Sequence, residues 1–260
     1  MGSSSIQGHL WSEAASDWAN FQEHMHSPLF EAMLNATIVR KNTKFLDIGC
    51  GSGTSSARAA MRGAIVTGLD AAPAFIEIAR SRVPDGQFEI GDMENLSFDD
   101  NAFDVVFAAN SLQYASDRVK ALKELKRVCR NGGYIVVGFF GQAETVDYKI
   151  VMKAITSTLP DLPSGDGPFG LSDHDKLQNL FSSAGLEILT HQEVNCPMAY
   201  PDMDSFLRGA LSGGPTIAAI EKVGKGKVKE AIINAIKSSM TTDGEIRIEQ
   251  NHFQYLVAKK

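Results

Sequence analysis

The spacing of apolar positions changes along this 260-residue chain, and the change sorts it into elements. Leu10, Ala14, Trp18 and Phe21 recur at helical intervals with Trp11 one step round, which predicts an amphipathic helix over 10–21. Residues 1–8 ahead of it read as disordered. A second helix opens at Pro28 and runs to about Val39, with Leu29, Phe30, Met33, Leu34 and Ile38 on its apolar side. From there short apolar runs alternate with helical stretches. Phe45–Ile48, Ala64–Leu69, Gln87–Ile90, Phe103–Ala109 and Tyr134–Phe140 read as strands. Thr54–Met61, Ala74–Arg82 and Arg118–Arg130 read as helices. Phe103–Ala109 is almost continuously apolar, as a strand covered on both faces should be. The order predicts a mostly parallel sheet with helices on both faces.

Past Gly141 the rhythm is less regular. A helix is expected over 145–159, and a Pro- and Gly-rich loop over Pro160–Pro168. Ser172 is read as capping a helix from Asp173 to Ala184. A sixth strand follows at Leu186–Cys196. Pro201–Lys237 is a block of helices broken at Gly213–Pro215 and Gly224–Gly226, and Glu245–Ala258 is a last strand. There is no internal repeat and no linker. The expectation is a single domain over 1–260: N-terminal helices over 1–43, a ligand-binding core over 44–141, and helical cap insertions at 142–172 and 201–243. Phe169, Met198, Tyr200, Met203, Phe206 and Leu207 are apolar enough for the insertions to line a substrate pocket.

The chemistry gathers at strand ends. Phe45-Leu-Asp-Ile-Gly-Cys-Gly-Ser-Gly53 joins a strand to a helix through Gly49, Gly51 and Gly53 at alternate positions. Such a turn lets a ligand approach the backbone where a Cβ would hold it off. A dinucleotide fingerprint spaces its glycines G-x-G-x-x-G instead. Asp70 ends the second strand and can accept from both hydroxyls of a ribose, which disfavours a 2′-phosphate. Asp92 ends the third, where it can accept from an exocyclic adenine amine. Asp47 sits two residues before the first glycine, either touching a ligand amino group through water or bracing the turn. Together these carboxylates describe an adenosyl ligand without phosphates, since they would repel a pyrophosphate.

These residues resemble the class I S-adenosylmethionine-dependent methyltransferases, small-molecule branch. The resemblance rests on Phe45–Gly53, Gly68-Leu-Asp70, Gly91-Asp-Met93, Phe103-Asp-Val-Val-Phe107 leading to Asn110-Ser-Leu-Gln-Tyr114, and Leu125–Gly133, in family order across about residues 44–139. Asn131 stands where the family has Pro, in a turn away from the chemistry. The resemblance implies a Rossmann-like α/β fold: seven strands, five of them parallel, and a final antiparallel pair. It implies that S-adenosyl-L-methionine is bound with Gly49, Gly51 and adjoining backbone at the methionine part, Asp70 at the ribose, and Asp92 with Met93 at the adenine. The turn from Asn110 would floor the sulfonium. Asp47, Cys50, Ala71 and Gln113 join this set by position. The implied reaction moves a methyl group to an O, N or C nucleophile of a small molecule by in-line displacement.

No residue stands out as a catalytic base. Tyr114 and His9 are the weak candidates, and His174 and His191 qualify by type only. Trp11 and Trp18 either close over the cofactor or pack on the sheet edge. Cys50 reads as a small filler of the turn, His24 and His26 do not make a metal pair, and the lysines within Glu221–Lys229 read as a solvated face. Two other readings stand: an NAD-dependent oxidoreductase, and a protein that binds S-adenosylmethionine without turning it over.

Composition narrows the setting. The net charge is −6 with Lys and Arg dispersed, which argues against a nucleic-acid surface. Three separated cysteines give neither a zinc site nor a disulfide framework, so the expected compartment is the cytoplasm. No apolar run approaches the ~20 residues of a membrane span.

Overall fold

The computed structural model describes residues 3–161 and 169–260. Its helices and strands, in chain order, begin with α1 (Ser4–Ser12) and α2 (Ala15–Asp17), then a π-helical turn over Trp18–Gln22 and a 3-10 turn over Glu23–His26. There follow α3 (Ser27–Ala36), β1 (Lys44–Ile48), α4 (Thr54–Met61), β2 (Ile65–Asp70), α5 (Pro73–Arg82), β3 (Gln87–Ile90), β4 (Phe103–Ala109), α6 (Arg118–Val128) and β5 (Cys129–Phe140). The remainder comprises α7 (Lys149–Ser157), α8 (His174–Ser183), β6 (Ile188–Asn195), β7 (Met198–Tyr200), α9 (Met203–Ala210), α10 (Gly214–Val223), α11 (Lys225–Ile236), β8 (Ile246–Ile248) and β9 (His252–Lys259).

Seven strands form the main sheet in the order β3-β2-β1-β4-β5-β9-β6. The first five are mutually parallel, and β9 runs antiparallel to both β5 and β6. The Rossmann-like α/β architecture expected from the sequence is therefore present. Strand order reverses between β1 and β4, so a crevice opens at their carboxyl ends. One face of the sheet buries Leu46, Val106 and Ile135 under Leu122 of α6 and Phe181 of α8. The other buries Phe45, Phe107 and Val136 under Leu29 and Met33 of α3 and Ile76 of α5. Each such side chain, fully withdrawn from water, contributes roughly 1.5–3 kcal/mol.

Several boundaries differ from the sequence reading, for local reasons. The N-terminal helix begins at Ser4 within the stretch read as disordered, and it does not continue to Phe21. Gly8 lets it lie against the core: a Cβ there would stand 2.3 Å from the Ala71 carbonyl oxygen. Ala14, at φ −136°, breaks the helix, and the π turn adds a residue before Glu23. Asp173, not Ser172, caps α8 by accepting from the Lys176 N–H at 2.9 Å; the Ser172 hydroxyl donates to the Phe169 carbonyl instead. The last strand divides in two. Asn251 is fully buried between the parts, donating through its backbone N–H to Asn195 Oδ1 and through Nδ2 to the Cys196 carbonyl. That frees β8 to pair with β7 in a second, two-stranded sheet. Of the loop read over Pro160–Pro168, residues 162–168 lie outside the described residues.

The helices after β5 and the small sheet build a core of their own. Met198, Tyr200, Phe206, Leu207, Val151 and Ile232 are buried there together. Met198, Tyr200, Phe206 and Leu207 therefore fill the interior of this layer rather than a pocket, and Phe169 and Met203 pack against it.

Candidate functional site

The glycine turn works through its backbone. Gly49, Gly51 and Gly53 all take left-handed φ, at 69°, 54° and 81°. The Gly49 and Cys50 N–H groups donate to the Leu69 carbonyl at 2.7 and 3.1 Å, which clamps the turn to the end of β2. Asp70 completes the clamp: Oδ2 accepts from the Gly51 N–H and Oδ1 from the Ala72 N–H, each at 2.9 Å. A Cβ on Gly49 would meet the Ser111 Cβ at 2.3 Å, and one on Gly51 would meet Glu23 Oε1 at 2.7 Å. These two glycines are thus required by protein neighbours. Asp47 lies beneath the turn, accepting from Ser55 Oγ at 2.6 Å and Ser56 Oγ at 2.7 Å. Burial lifts its carboxyl to about 6, against the pull of the two serines.

A cleft of about 830 Å³, its open mouth included, lies over the turn. From the residues expected to hold a ligand it brings together Gly49, Cys50, Gly51, Asp70, Ala71, Asp92, Met93 and Asn110. Asp92 is held by its own turn, where Oδ1 accepts from the Glu94 N–H at 2.9 Å. Asn110 sits at φ 53°, and its Oδ1 is buried with no hydrogen-bond partner among the described residues. The left-handed conformation, which Asn tolerates better than most residues, turns the Asn110 side chain inward beside the cleft.

The roof of the cleft comes from the N-terminal segment, which the sequence reading placed only in part. Ser3, Ser4 and Gln7 line it from within the stretch read as disordered, and Glu23, His26 and Phe30 line it further on. Trp11 and Trp18 both border the cleft, their rings edge-to-face with centroids 4.8 Å apart. Trp11 also stands 5.5 Å from Tyr114, and Trp18 stands 5.9 Å from His26. The aromatic residues had a signal in their helical spacing. Glu23 and His26 had none, because the π turn that aims them has no sequence signature.

Burial governs the titratable groups around the cleft. Glu23 is lifted from 4.5 to about 7, mainly by desolvation, although bonds from Ser52 and the charge of Arg82 oppose the rise. His26 is lowered to about 4 by burial and stays neutral. The Tyr114 phenol is pushed up to about 12, so at neutral pH it offers a proton and is not a base. Burial first, then Asp70, Asp47 and Glu23, drive the Cys50 thiol well above its ordinary value, which removes it as a nucleophile.

Other expected residues lie elsewhere. Asp47 is walled off below the turn. Gln113 does not line the cleft; its Oε1 is buried without a partner. His9 is exposed and pairs with Glu221 at 2.7 Å, outside the cleft. His174 and His191 stack on each other, with Nδ1 atoms 3.2 Å apart, at the β6 edge of the sheet. Among the described residues nothing beyond Tyr114 lines the cleft.

The donor set fits a particular ligand. Among the described lining residues there is no Lys or Arg, whereas Glu23, Asp70 and Asp92 supply carboxylates and Trp11, Trp18, Phe30, Phe75 and Tyr114 supply rings. A phosphate finds no cation here, and a positively charged adenosyl compound finds both carboxylates and ring faces. The doubly wound sheet with its reversed last strand is similar to the fold of the class I S-adenosylmethionine-dependent methyltransferases.

Comparison with known proteins reaches the same class. Residues 46–137 match the family model described as a methyltransferase domain. Over 106 residues it is 38% identical to a malonyl-[acyl-carrier protein] O-methyltransferase of Serratia marcescens, covering 41% of this chain and 42% of that one. Over 165 residues it is 29% identical to a demethylmenaquinone methyltransferase of Renibacterium salmoninarum, covering 58% and 70%. The chain spans about half the length of several curated relatives that it matches. Among solved structures it is similar in fold to the [4+2]-cyclase SpnF, with a TM-score of 0.58, 21% identity and coverage of 89% of this chain and 80% of that one.

Proposed function

We propose that the chain transfers the methyl group of S-adenosylmethionine to a nucleophilic atom of a small molecule by in-line displacement. The observation that carries this reading is the cleft lined by three carboxylates and a row of rings, with no lysine or arginine among its described lining residues. The bound cofactor would supply an activated methyl group and a neutral leaving group. The protein's share is then mainly alignment, because a nucleophile held ~3 Å from the methyl carbon on the bond axis needs little further help.

In this reading Asp70, already fixed by two backbone N–H groups, accepts from the ribose hydroxyls with its remaining lone pairs. Asp92 and Met93 hold the adenine edge, and Asn110 borders the ligand at the end of β4. Trp11, Trp18 and α1 exclude water from above. Tyr114 donates a hydrogen bond to the acceptor, since burial keeps its phenol protonated. The relatives named for acyl-carrier-protein O-methylation and demethylmenaquinone methylation differ in acceptor, so they support the reaction class and leave the acceptor open.

The experiment is binding followed by turnover. Calorimetry is expected to detect S-adenosylmethionine and S-adenosylhomocysteine and no NAD. Tight NAD binding without either adenosyl compound would overturn the reading in favour of an oxidoreductase. A cell extract incubated with methyl-labelled cofactor is then expected to yield a labelled small molecule and S-adenosylhomocysteine. Binding with no labelled product across broad extracts would favour a protein that uses the cofactor without transferring its methyl group. The similarity in fold to a cyclase makes that outcome worth the measurement.

A further inference from the structure

The sequence offers Asp47 as the carboxylate for the amino end of the cofactor, but the fold turns Asp47 away. Its Oδ2 takes both serine hydroxyls of α4, and it is 1% exposed beneath the turn. A different carboxylate occupies the cleft wall at the same turn. Glu23 comes from the N-terminal 3-10 turn, is 5% exposed, and lines the cleft beside Gly51. Its Oε1 accepts from the Ser52 N–H at 3.2 Å, and its Oε2 accepts from the Ser52 hydroxyl. Gly51 is a glycine partly on its account, since a Cβ would come within 2.7 Å of Oε1.

We propose that Glu23 is the cofactor's amino-end ligand, a carboxylate carried by the N-terminal roof that receives the α-ammonium group of S-adenosylmethionine or S-adenosylhomocysteine and so ties closure of the roof to occupation of the glycine turn. The inference rests on the cofactor reading above. A carboxylate has about four lone-pair sites; Ser52 uses two of them and the Thr54 hydroxyl bears on a third, which leaves one for a ligand. The nearest cation, Arg82, stands 3.7 Å from Oε2 and spends Nη1 on Ser52 Oγ at 2.6 Å and Thr54 Oγ1 at 2.5 Å. Arg82 does not line the cleft, so an ammonium on the cleft side would meet the carboxylate without a protein cation between them. An ammonium delivered there adds a close cation to a carboxylate that Arg82 faces only at 3.7 Å, and their attraction at low dielectric must repay the desolvation of both charges.

The carboxylate titrates near neutrality, so its grip on an ammonium should depend on pH. The charged and titratable groups facing it are Arg82 from α5, Asp47 from β1 and Cys50 from the glycine turn, with His24 and His26 on its own turn. Their effects on the adenosine end are removed by comparing two ligands. S-adenosylhomocysteine and 5′-methylthioadenosine share the adenosyl thioether, and only the first carries the amino-acid end.

Calorimetry would measure both ligands at pH 6 and pH 8 on the full chain and on Glu23→Gln, which keeps an acceptor for the Ser52 N–H. At pH 8 the substitution is expected to weaken S-adenosylhomocysteine tenfold or more and methylthioadenosine less than twofold. In the unsubstituted protein the preference for S-adenosylhomocysteine should grow from pH 6 to pH 8, and in Glu23→Gln it should stay flat. Equal weakening of both ligands would reduce Glu23 to a structural brace and overturn the proposal, as would no weakening of either. If Glu23→Gln does not fold, a pH-independent preference in the unsubstituted protein overturns the proposal by itself. Failure of the unsubstituted protein to bind either ligand would instead overturn the cofactor reading underneath.

Discussion

Asp70 accepts two backbone N–H groups and still faces the cleft, so its carboxylate braces the turn and, in the proposed function, also serves the ligand. Asp70→Ala should weaken S-adenosylhomocysteine by ~1–3 kcal/mol, the scale of hydrogen bonds to a charged acceptor, read by calorimetry. Unchanged affinity would remove the ribose role. Glu23 makes a separate prediction about stability. Its folded pKa of about 7 lies above the ordinary 4.5, so the folded state holds this proton more tightly than the unfolded chain does. The resulting stabilisation is complete at pH below 4.5 and is lost as pH rises through 7. Relative to Glu23→Gln, the unsubstituted protein should therefore lose ~2–4 kcal/mol of stability between acid and alkaline conditions. Urea midpoints of the two proteins at pH 5 and pH 8 check this, and parallel behaviour would mean that Glu23 ionises as freely in the fold as in water.

At the scale of elements, the N-terminal segment is joined to the rest at several points. Gly8 touches the Ala71 backbone, and Trp11 lies so close to α10 that a Cβ on Gly214 would meet its Nε1 at 2.6 Å. The Tyr200 hydroxyl donates to Gln22 Oε1 at 2.6 Å, and Arg208 reaches Asp17 at 2.7 Å. The roof of the cleft is thus held by both the core and the cap. Gly8→Val would put a methyl group into the Ala71 carbonyl and keep α1 off the cleft. The sheet should remain, because α1 contributes little to its two cores. The expected outcome is an unchanged circular dichroism spectrum, faster proteolysis within residues 3–26, and at least tenfold weaker S-adenosylhomocysteine binding. Full affinity with an undocked α1 would show that the roof is dispensable.

For the whole molecule, the described lining of the cleft comes from the first half of the chain, and the second half carries a core of its own. Phe206 is fully buried in that second core and away from the cleft. Phe206→Ala should cost ~3–5 kcal/mol of stability, the usual toll for a buried aromatic ring. The S-adenosylhomocysteine Kd of the folded fraction should stay within twofold. A large loss of affinity without a fall in Tm would connect the cap to the cleft in a way that the lining residues do not. Among the described residues no helix is long and apolar enough to cross a membrane.

The sequence by itself determined the sheet and the glycine turn at its carboxyl edge. Strands buried on both faces read as continuous apolar runs, and left-handed turns leave glycines at fixed positions, so Gly49–Gly53, Asp70 and Asp92 could be placed in order without a structure. Local pattern carries that much because the turn and the strand ends lie close in sequence to what they do. The tertiary structure alone decided which carboxylate faces the cleft and what roofs it. Asp47 and Glu23 are equally acidic in sequence. One lies under two serine hydroxyls of α4, and the other is aimed over Gly51 by a π turn, and neither fact is local. The apolar residues of the cap had a pattern but no address, because burial in a second core and exposure to a pocket both ask for the same side chains.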